Sequence, residues 1–167
     1  GAESWELLED VPQLSDERIV PLALEPDGTL VVLTSRGADT TALFSYRPDR
    51  RTLDPEPIVA LKGFDVDPVI VVDTRTRRVV GAHTRADRSL SVWFDERLAT
   101  IQHAVDKSLP SGRVNRLLCG RCESTQRFVV ASWSDRHPGE YYVYDHAARK
   151  LQHIGEARPW LKESQQG

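Results

Sequence analysis

Short β-prone segments that alternate with turn residues constrain the fold of this chain more than any other feature of its sequence. Over residues 18–61, four such segments are separated by turns such as Pro26-Asp27-Gly28, in which Gly accepts a positive φ. The same pattern returns over residues 115–154, and a shorter set of three segments spans residues 69–94. Segments rich in branched residues and bounded by turns predict strands, so we expect an all-β chain.

A period of about forty residues, with four antiparallel strands in each repeat, is typical of β-propeller blades. The repeat is also visible locally, because residues 46–53, 72–79 and 144–151 form octets that begin with an apolar residue, end with an aliphatic one and carry Arg at the sixth position. Their uneven spacing indicates that the middle octet joins a different pair of strands. We therefore predict a partial β-propeller of about three four-stranded antiparallel blades with one inserted α-helix. A β-sandwich is the alternative.

The inserted helix is predicted over residues 95–109, where apolar residues recur every three or four positions and Asp95 can cap the first turn. The predicted domain organisation has three parts. We expect an N-terminal lead-in over residues 1–17, a partial propeller over 18–161 and a C-terminal tail over 162–167, the start of a linker, with blades at about 18–61, 65–95 and 114–155.

Three blades do not close a propeller, because closed rings have about four to eight. The sequence therefore predicts an incomplete ring whose open sheet faces favour self-association into a homo-oligomer. The sequence contains no Met, so we expect Gly1 to result from processing or cutting. Arg158, Pro159 and Trp160 follow the last strand and are predicted to form an exit segment that leads into another domain.

Charge and composition exclude two classes of partner. The 167 residues include 22 basic and 25 acidic side chains, a net charge of −3, whereas nucleic-acid binders usually carry a basic surplus. No apolar run approaches the roughly eighteen residues of a membrane-spanning helix, so we expect a soluble protein without a membrane partner. The excess of Arg over Lys is typical of a GC-rich bacterial genome. The sequence does not distinguish between a cytoplasmic and a periplasmic location.

Two short motifs contain residue types that are used in chemistry. Cys119 and Cys122 have the spacing of a redox motif or of half a zinc site. Their flanks predict strand, turn and strand rather than a helix N-terminus, and no second ligand pair completes a zinc site. We interpret them as two small residues at a hairpin.

Residues 134–137, Ser-Asp-Arg-His, include the residue types of a hydrolase triad, but the chain lacks the G-x-S-x-G elbow that positions such a nucleophile. We interpret this segment as a loop. The residues predict no catalytic, cofactor-binding or metal-binding position in this chain, and no cofactor.

Several segments resemble one family. Residues 130–135 (VASWSD), 138–145 (PGEYYVYD) and 155–161 (GEARPWL) are similar to the last propeller blade of prolyl-oligopeptidase-family serine peptidases, especially the bacterial enzymes labelled acylaminoacyl-peptidase or dipeptidyl-aminopeptidase-like. Residues 92–95 (VWFD) and 112–116 (GRVNR) fit the same pattern. The resemblance extends over most of the chain, from about Ser15 to Leu161.

In that family an N-terminal propeller caps an α/β-hydrolase domain, whose Ser-Asp-His triad hydrolyses peptides. The resemblance implies that this chain is a non-catalytic propeller fragment. Its partners would be an absent C-terminal hydrolase domain and the short peptides that the propeller admits. No catalytic residue carries over, because the family's triad lies in the hydrolase domain, and the Glu-Glu signature that binds a substrate amino terminus is absent. A stand-alone β-rich binding or scaffold module is the alternative function.

Overall fold

The computed structural model describes residues 7–8, 10–12, 15 and 18–161. The predicted lead-in lies largely, and the predicted tail entirely, outside the described residues. Over the described residues the chain is all-β with one helix, and its strands form three antiparallel sheets, none of them closed. The strands are β1 (Val20–Leu24), β2 (Leu30–Thr34), β3 (Ala42–Arg47), β4 (Thr52–Leu53), β5 (Val69–Val72), β6 (Val79–Arg85), β7 (Ser89–Trp93), β8 (Val114–Leu118), β9 (Arg127–Trp133), β10 (Glu140–Asp145) and β11 (Lys150–Glu156).

Two of the sheets are four-stranded meanders, with the strand orders β1-β2-β3-β4 and β11-β10-β9-β8. In both, every strand pairs with its neighbour along the chain. The middle sheet, β5-β6-β7, has three strands, one fewer than a full blade. The predicted fold class is confirmed, and three open sheets of this kind are consistent with a partial propeller and with a sandwich.

The repeated octets form the turns of three hairpins. Arg51, Arg77 and Arg149, at the sixth position of each octet, adopt φ values of 51°, 60° and 51°. They are the non-glycine residues with positive φ in the described part of the chain. The outer two hairpins join the third and fourth strands of their sheets, whereas the middle one joins β5 to β6. The expectation that the middle octet joins a different pair of strands is thus confirmed.

The chain divides into two compact units, the first comprising Gly1–Ile70 and His83–Arg88. This unit contains the sheet β1–β4, and its largest fully buried side chains include Leu43 and Tyr46. Strand β4 is only two residues long, because Pro55 and Pro57 lack the N–H groups that would continue the ladder. The chain then returns to β3, where the Leu43 N–H donates to Val59 O at 2.9 Å.

The second unit comprises Val71–Ala82 and Ser89–Gly167, and contains the sheet β8–β11 and the helix α1 (Glu96–Ser108). The predicted helix is confirmed: Asp95 caps it by accepting a hydrogen bond from the Leu98 N–H at 2.9 Å. The apolar stripe of α1 packs on the sheet and builds the core of this unit. The core consists of Val80, Leu98, Ile101, Val105, Leu109, Leu117, Cys122, Phe128, Val130 and Tyr144.

Candidate functional site

A row of polar side chains crosses one end of the sheet β8–β11, on the face that packs against α1. Ser132 of β9 lies opposite Asn115 of β8 and opposite Glu140 of β10. Side chains alternate between the two faces of a strand, so Ser132 shares the core face with Phe128 and Val130. Ser132 is fully buried and Asn115 is 7% exposed. The core face of this sheet is therefore apolar under the helix and polar at one end.

Glu140 is the centre of a charged cluster within this row. Its Oε2 accepts hydrogen bonds from Arg113 Nη1 at 2.6 Å and from the Tyr142 hydroxyl, and its Oε1 lies 3.5 Å from His137 Nε2. The side chains of Arg113 and Glu140 keep only 15% and 20% of their surface exposed. Arg113 and Glu140 thus form a largely buried ion pair that two further polar side chains surround.

Protonation follows from these contacts. Burial would raise the pKa of Glu140, but the hydrogen bonds from Tyr142 and Arg113 and the charge of Arg113 outweigh it, and the pKa lies below its ordinary value of 4.5. Burial, followed by the hydrogen bond to Glu140, raises the pKa of the Tyr142 phenol above 10.0. At neutral pH the cluster therefore contains an ionised Glu140 and a phenol that donates to it.

A hydrogen-bond network connects the helix to the other end of this row. Trp93 Nε1 donates to Gln102 Oε1 at 3.2 Å, and Gln102 Nε2 donates to Asp106 Oδ1 and to Asn115 O at 3.0 and 2.8 Å. Asn115 Nδ2 donates to the same Asp106 Oδ1 at 3.0 Å. Within the described part of the chain, Asn115 Oδ1 and the buried Ser132 Oγ have no hydrogen-bond partner. Such buried polar atoms are uncommon and mark places where a protein can accept a ligand or a water.

Three clefts meet at His137, beside the connection between β9 and β10. Their volumes are about 730, 430 and 470 Å³, within the range of ligand-binding pockets. Ser132 and Glu140 line the largest cleft, and Arg113 lines the cleft of 430 Å³. The charged cluster therefore borders open space on more than one side, and this end of the sheet is the candidate functional site.

The structure brings Ser134, Asp135 and His137 to the rim of these clefts, as a loop. Ser134 Oγ accepts from the Arg136 N–H at 3.2 Å, and the Ser134 N–H donates to His137 O at 3.2 Å. The Gly139 N–H donates to His137 Nδ1 at 3.3 Å. These bonds hold the turn between two strands, which confirms the interpretation of the segment as a loop.

Cys119 and Cys122 lie in the connection between β8 and β9, and they form a disulfide with a Cα–Cα distance of 5.0 Å. The prediction placed them correctly at a hairpin but missed the bond. In the described part of the chain, no group of three or more His, Cys, Asp or Glu side chains could hold a metal ion. No helix among the described residues is long and apolar enough to cross a membrane.

The predicted exit segment borders the same clefts. Arg158 lines the largest of them and Pro159 another, while Trp160 is 72% exposed. The assignment of an interdomain role to these residues stays a prediction. Sequence reasoning did not single out Arg113, Ser132 or Glu140 as a site.

Comparisons with protein-family models, with curated proteins and with solved structures find no match for this chain.

Proposed function

We propose that this chain is a non-catalytic β-propeller portion of a prolyl-oligopeptidase-family serine peptidase. In the whole protein it would cap an α/β-hydrolase domain and restrict access to short peptides. The observation that supports this proposal best is the strand order: along the chain, a four-stranded meander, a three-stranded sheet and a second four-stranded meander follow one another, and each strand pairs with its neighbour in sequence. Repeated antiparallel meanders of this kind are the units from which propellers are built.

The local chemistry of the β9–β10 connection supports assigning catalysis to another domain. Ser134 Oγ and His137 Nδ1 both accept hydrogen bonds from backbone N–H groups of their own loop. A serine nucleophile instead needs its hydroxyl hydrogen-bonded to the base and a strained elbow that exposes it. The proposal therefore gives this chain the role of selecting substrates, and gives peptide-bond cleavage to a hydrolase domain.

The proposal is tested first at the level of the gene. We expect the reading frame to continue past Gly167 and to encode a G-x-S-x-G elbow on the order of a hundred or more residues downstream. The purified chain should not turn over peptidyl reporter substrates, whereas the full-length product should cleave short peptides and leave folded proteins intact. Turnover by the isolated chain that a serine-directed inhibitor blocks would refute the proposal.

A second candidate function is a stand-alone protein-binding module. It is favoured by apolar side chains on the outer face of the sheet β8–β11, where Leu118, Val129 and Tyr141 are 43%, 38% and 39% exposed. Exposed apolar patches of this kind often mark interaction surfaces. A stop codon near Gly167 would favour this candidate over the first.

A further inference from the structure

The disulfide between Cys119 and Cys122 closes the connection between β8 and β9, residues 119–126, which we call the cystine loop. Cys122 is fully buried and belongs to the core of the second unit. Cys119 is only partly buried. Cys119 is therefore the more exposed end of the disulfide, and it is the sulfur at which we expect a reductant to attack.

The backbone of the cystine loop holds the turn between β5 and β6. The Glu123 N–H donates to Asp73 Oδ2 at 2.8 Å, and the Thr74 N–H donates to Gly120 O at 2.8 Å. Arg78 Nη1 adds a hydrogen bond to Glu123 Oε1 at 3.3 Å. Asp73 is 1% exposed, so it depends on such donors to remain ionised in the interior. A displaced cystine loop would remove one of them.

The same backbone also holds the beginning of the helix. Arg97, in the first turn of α1, donates to Cys122 O at 3.1 Å and to Thr125 O. At the far end of the loop, the His146 N–H donates to Gln126 O at 2.8 Å. The conformation of one short loop thus determines hydrogen bonds to three other elements, and the disulfide lies within that loop.

We infer that Cys119–Cys122 is a site of reversible thiol–disulfide exchange with a dithiol, and that opening it releases the cystine loop from the β5–β6 turn and from Arg97.

The chemistry balances as a two-electron exchange. A thiolate of the dithiol attacks Sγ of Cys119, the bond between the two cysteine sulfurs breaks, and Cys122 leaves with the electron pair and takes a proton. The second thiol of the reagent then attacks the mixed disulfide, releases Cys119 as a thiol and leaves the reagent as a cyclic disulfide. Cys122 Sγ lies 3.2 Å from Cys119 O, so the new thiol can donate to that carbonyl.

This geometry predicts a preference for dithiols over monothiols. After a monothiol attacks Cys119, the Cys122 thiol stays close, with its Cα only 5.0 Å away, and can reverse the step. A dithiol completes the reaction intramolecularly before the reversal. We expect dithiothreitol to reduce the folded chain at concentrations at which glutathione leaves most of it oxidised.

The test combines thiol labelling with hydrogen–deuterium exchange on the full chain, in dithiothreitol and in glutathione redox buffers without denaturant. On reduction we expect two thiols that a maleimide labels, and amide exchange about ten-fold faster in the cystine loop and in residues 73–79. The β3–β4 turn, residues 47–52, has the same octet and serves as the internal control, with unchanged exchange. The double variant C119A/C122A should show the fast pattern with and without reductant.

Two results would overturn the inference. The first is that the folded chain resists dithiothreitol until denaturant is added, because the site would then not exchange in the native state. The second is that complete reduction leaves exchange in residues 73–79 unchanged, because the cystine loop would then not control the turn. Both results come from the unmodified chain, so they do not depend on whether the double variant folds.

Discussion

The ion pair at the end of the sheet β8–β11 leads to a prediction that a matched pair of substitutions can test. Glu140 and Asp145 are the first and last residues of β10, and each forms an ion pair with an Arg. The pair with Glu140 is largely buried, whereas Arg127, the partner of Asp145, is 77% exposed. Glu140→Gln and Asp145→Asn remove one negative charge each and keep the shape of the side chain. They differ in how deeply the abandoned Arg is buried and in one further contact each, since Glu140 also accepts from the Tyr142 hydroxyl and Asp145 from the Ala148 N–H.

The expected loss of stability in Glu140→Gln follows from the geometry of the ion pair. Two unit charges about 4 Å apart attract by about 4 kcal/mol at an effective dielectric constant of about 20. Arg113 and Glu140 retain 15% and 20% exposure, and the Gln amide still accepts a hydrogen bond, so part of this energy is kept. We expect Glu140→Gln to lower the free energy of unfolding by about 2 kcal/mol, because Arg113 is left without its counter-ion. For a chain of this length that is a fall in Tm of about 4–8 °C.

The Tm of both variants is measured at neutral pH by thermal unfolding followed by circular dichroism. Asp145→Asn should change the Tm by less than about 2 °C, because an exposed pair contributes little. Since folding lowers the pKa of Glu140, its stabilisation is present above the ordinary value of 4.5 and is lost as the pH falls through the folded pKa. The Tm difference between wild type and Glu140→Gln should therefore shrink in acid. Equal effects of the two substitutions, or a difference that persists in acid, would refute the reasoning.

Three further predictions concern stability and assembly. A Cβ at Gly81 would lie 2.7 Å from a backbone oxygen of the neighbouring strand and from Trp93 Cε3, so Gly81→Ala should cost about 1–3 kcal/mol in chemical denaturation. Gly155→Ala is the control, because nothing lies within 4 Å of a Cβ at this position, and it should leave the midpoint of chemical denaturation nearly unchanged. Arg149→Gly should raise the Tm by about 2–4 °C, because Arg149 has a φ of 51° that Gly adopts more readily. Light scattering should show a dimer or a larger species, and Val129→Lys should weaken this self-association by placing a charge on an exposed apolar position. A wild-type chain that stays monomeric at high concentration would contradict this prediction.

The strands and the helix could be predicted from the sequence because their signals are local. The apolar stripe of α1 and its cap at Asp95 lie within one short segment, and the structure places the helix one residue inside each predicted end. The turns between strands depend on neighbouring residues in the same way, which is why the octets marked hairpins. The positive φ of Arg51, Arg77 and Arg149 was not predicted, since Arg has no intrinsic preference for that conformation.

The charged cluster could not be predicted because it depends on contacts between distant residues. Arg113 and Glu140 are 27 positions apart, and they meet only because β8 and β10 both pair with β9. One signal was available: in β9 the buried positions alternate, and Ser132 continues the series that Phe128 and Val130 begin. A polar residue on a core-facing position needs a hydrogen-bond partner, so the alternation identifies Ser132 as a buried polar group but not the residues that surround it.

For the cystine loop, unlike the charged cluster, the sequence predicts which two side chains lie close together but not whether they bond. Two Cys residues three positions apart lie within bonding distance in many turns, so the closeness of Cys119 and Cys122 could be predicted from their spacing. Whether they bond depends on the turn geometry, and what the bond holds depends on Asp73 and Arg97, which come from other elements. Asp73 belongs to the middle octet, whose turn joins β5 to β6 rather than the last two strands of a sheet. The cystine loop holds this same turn through the buried carboxylate of Asp73. The irregular hairpin of the repeat therefore depends on a contact with a distant part of the chain, whereas the other two octet turns join the last two strands of complete meanders.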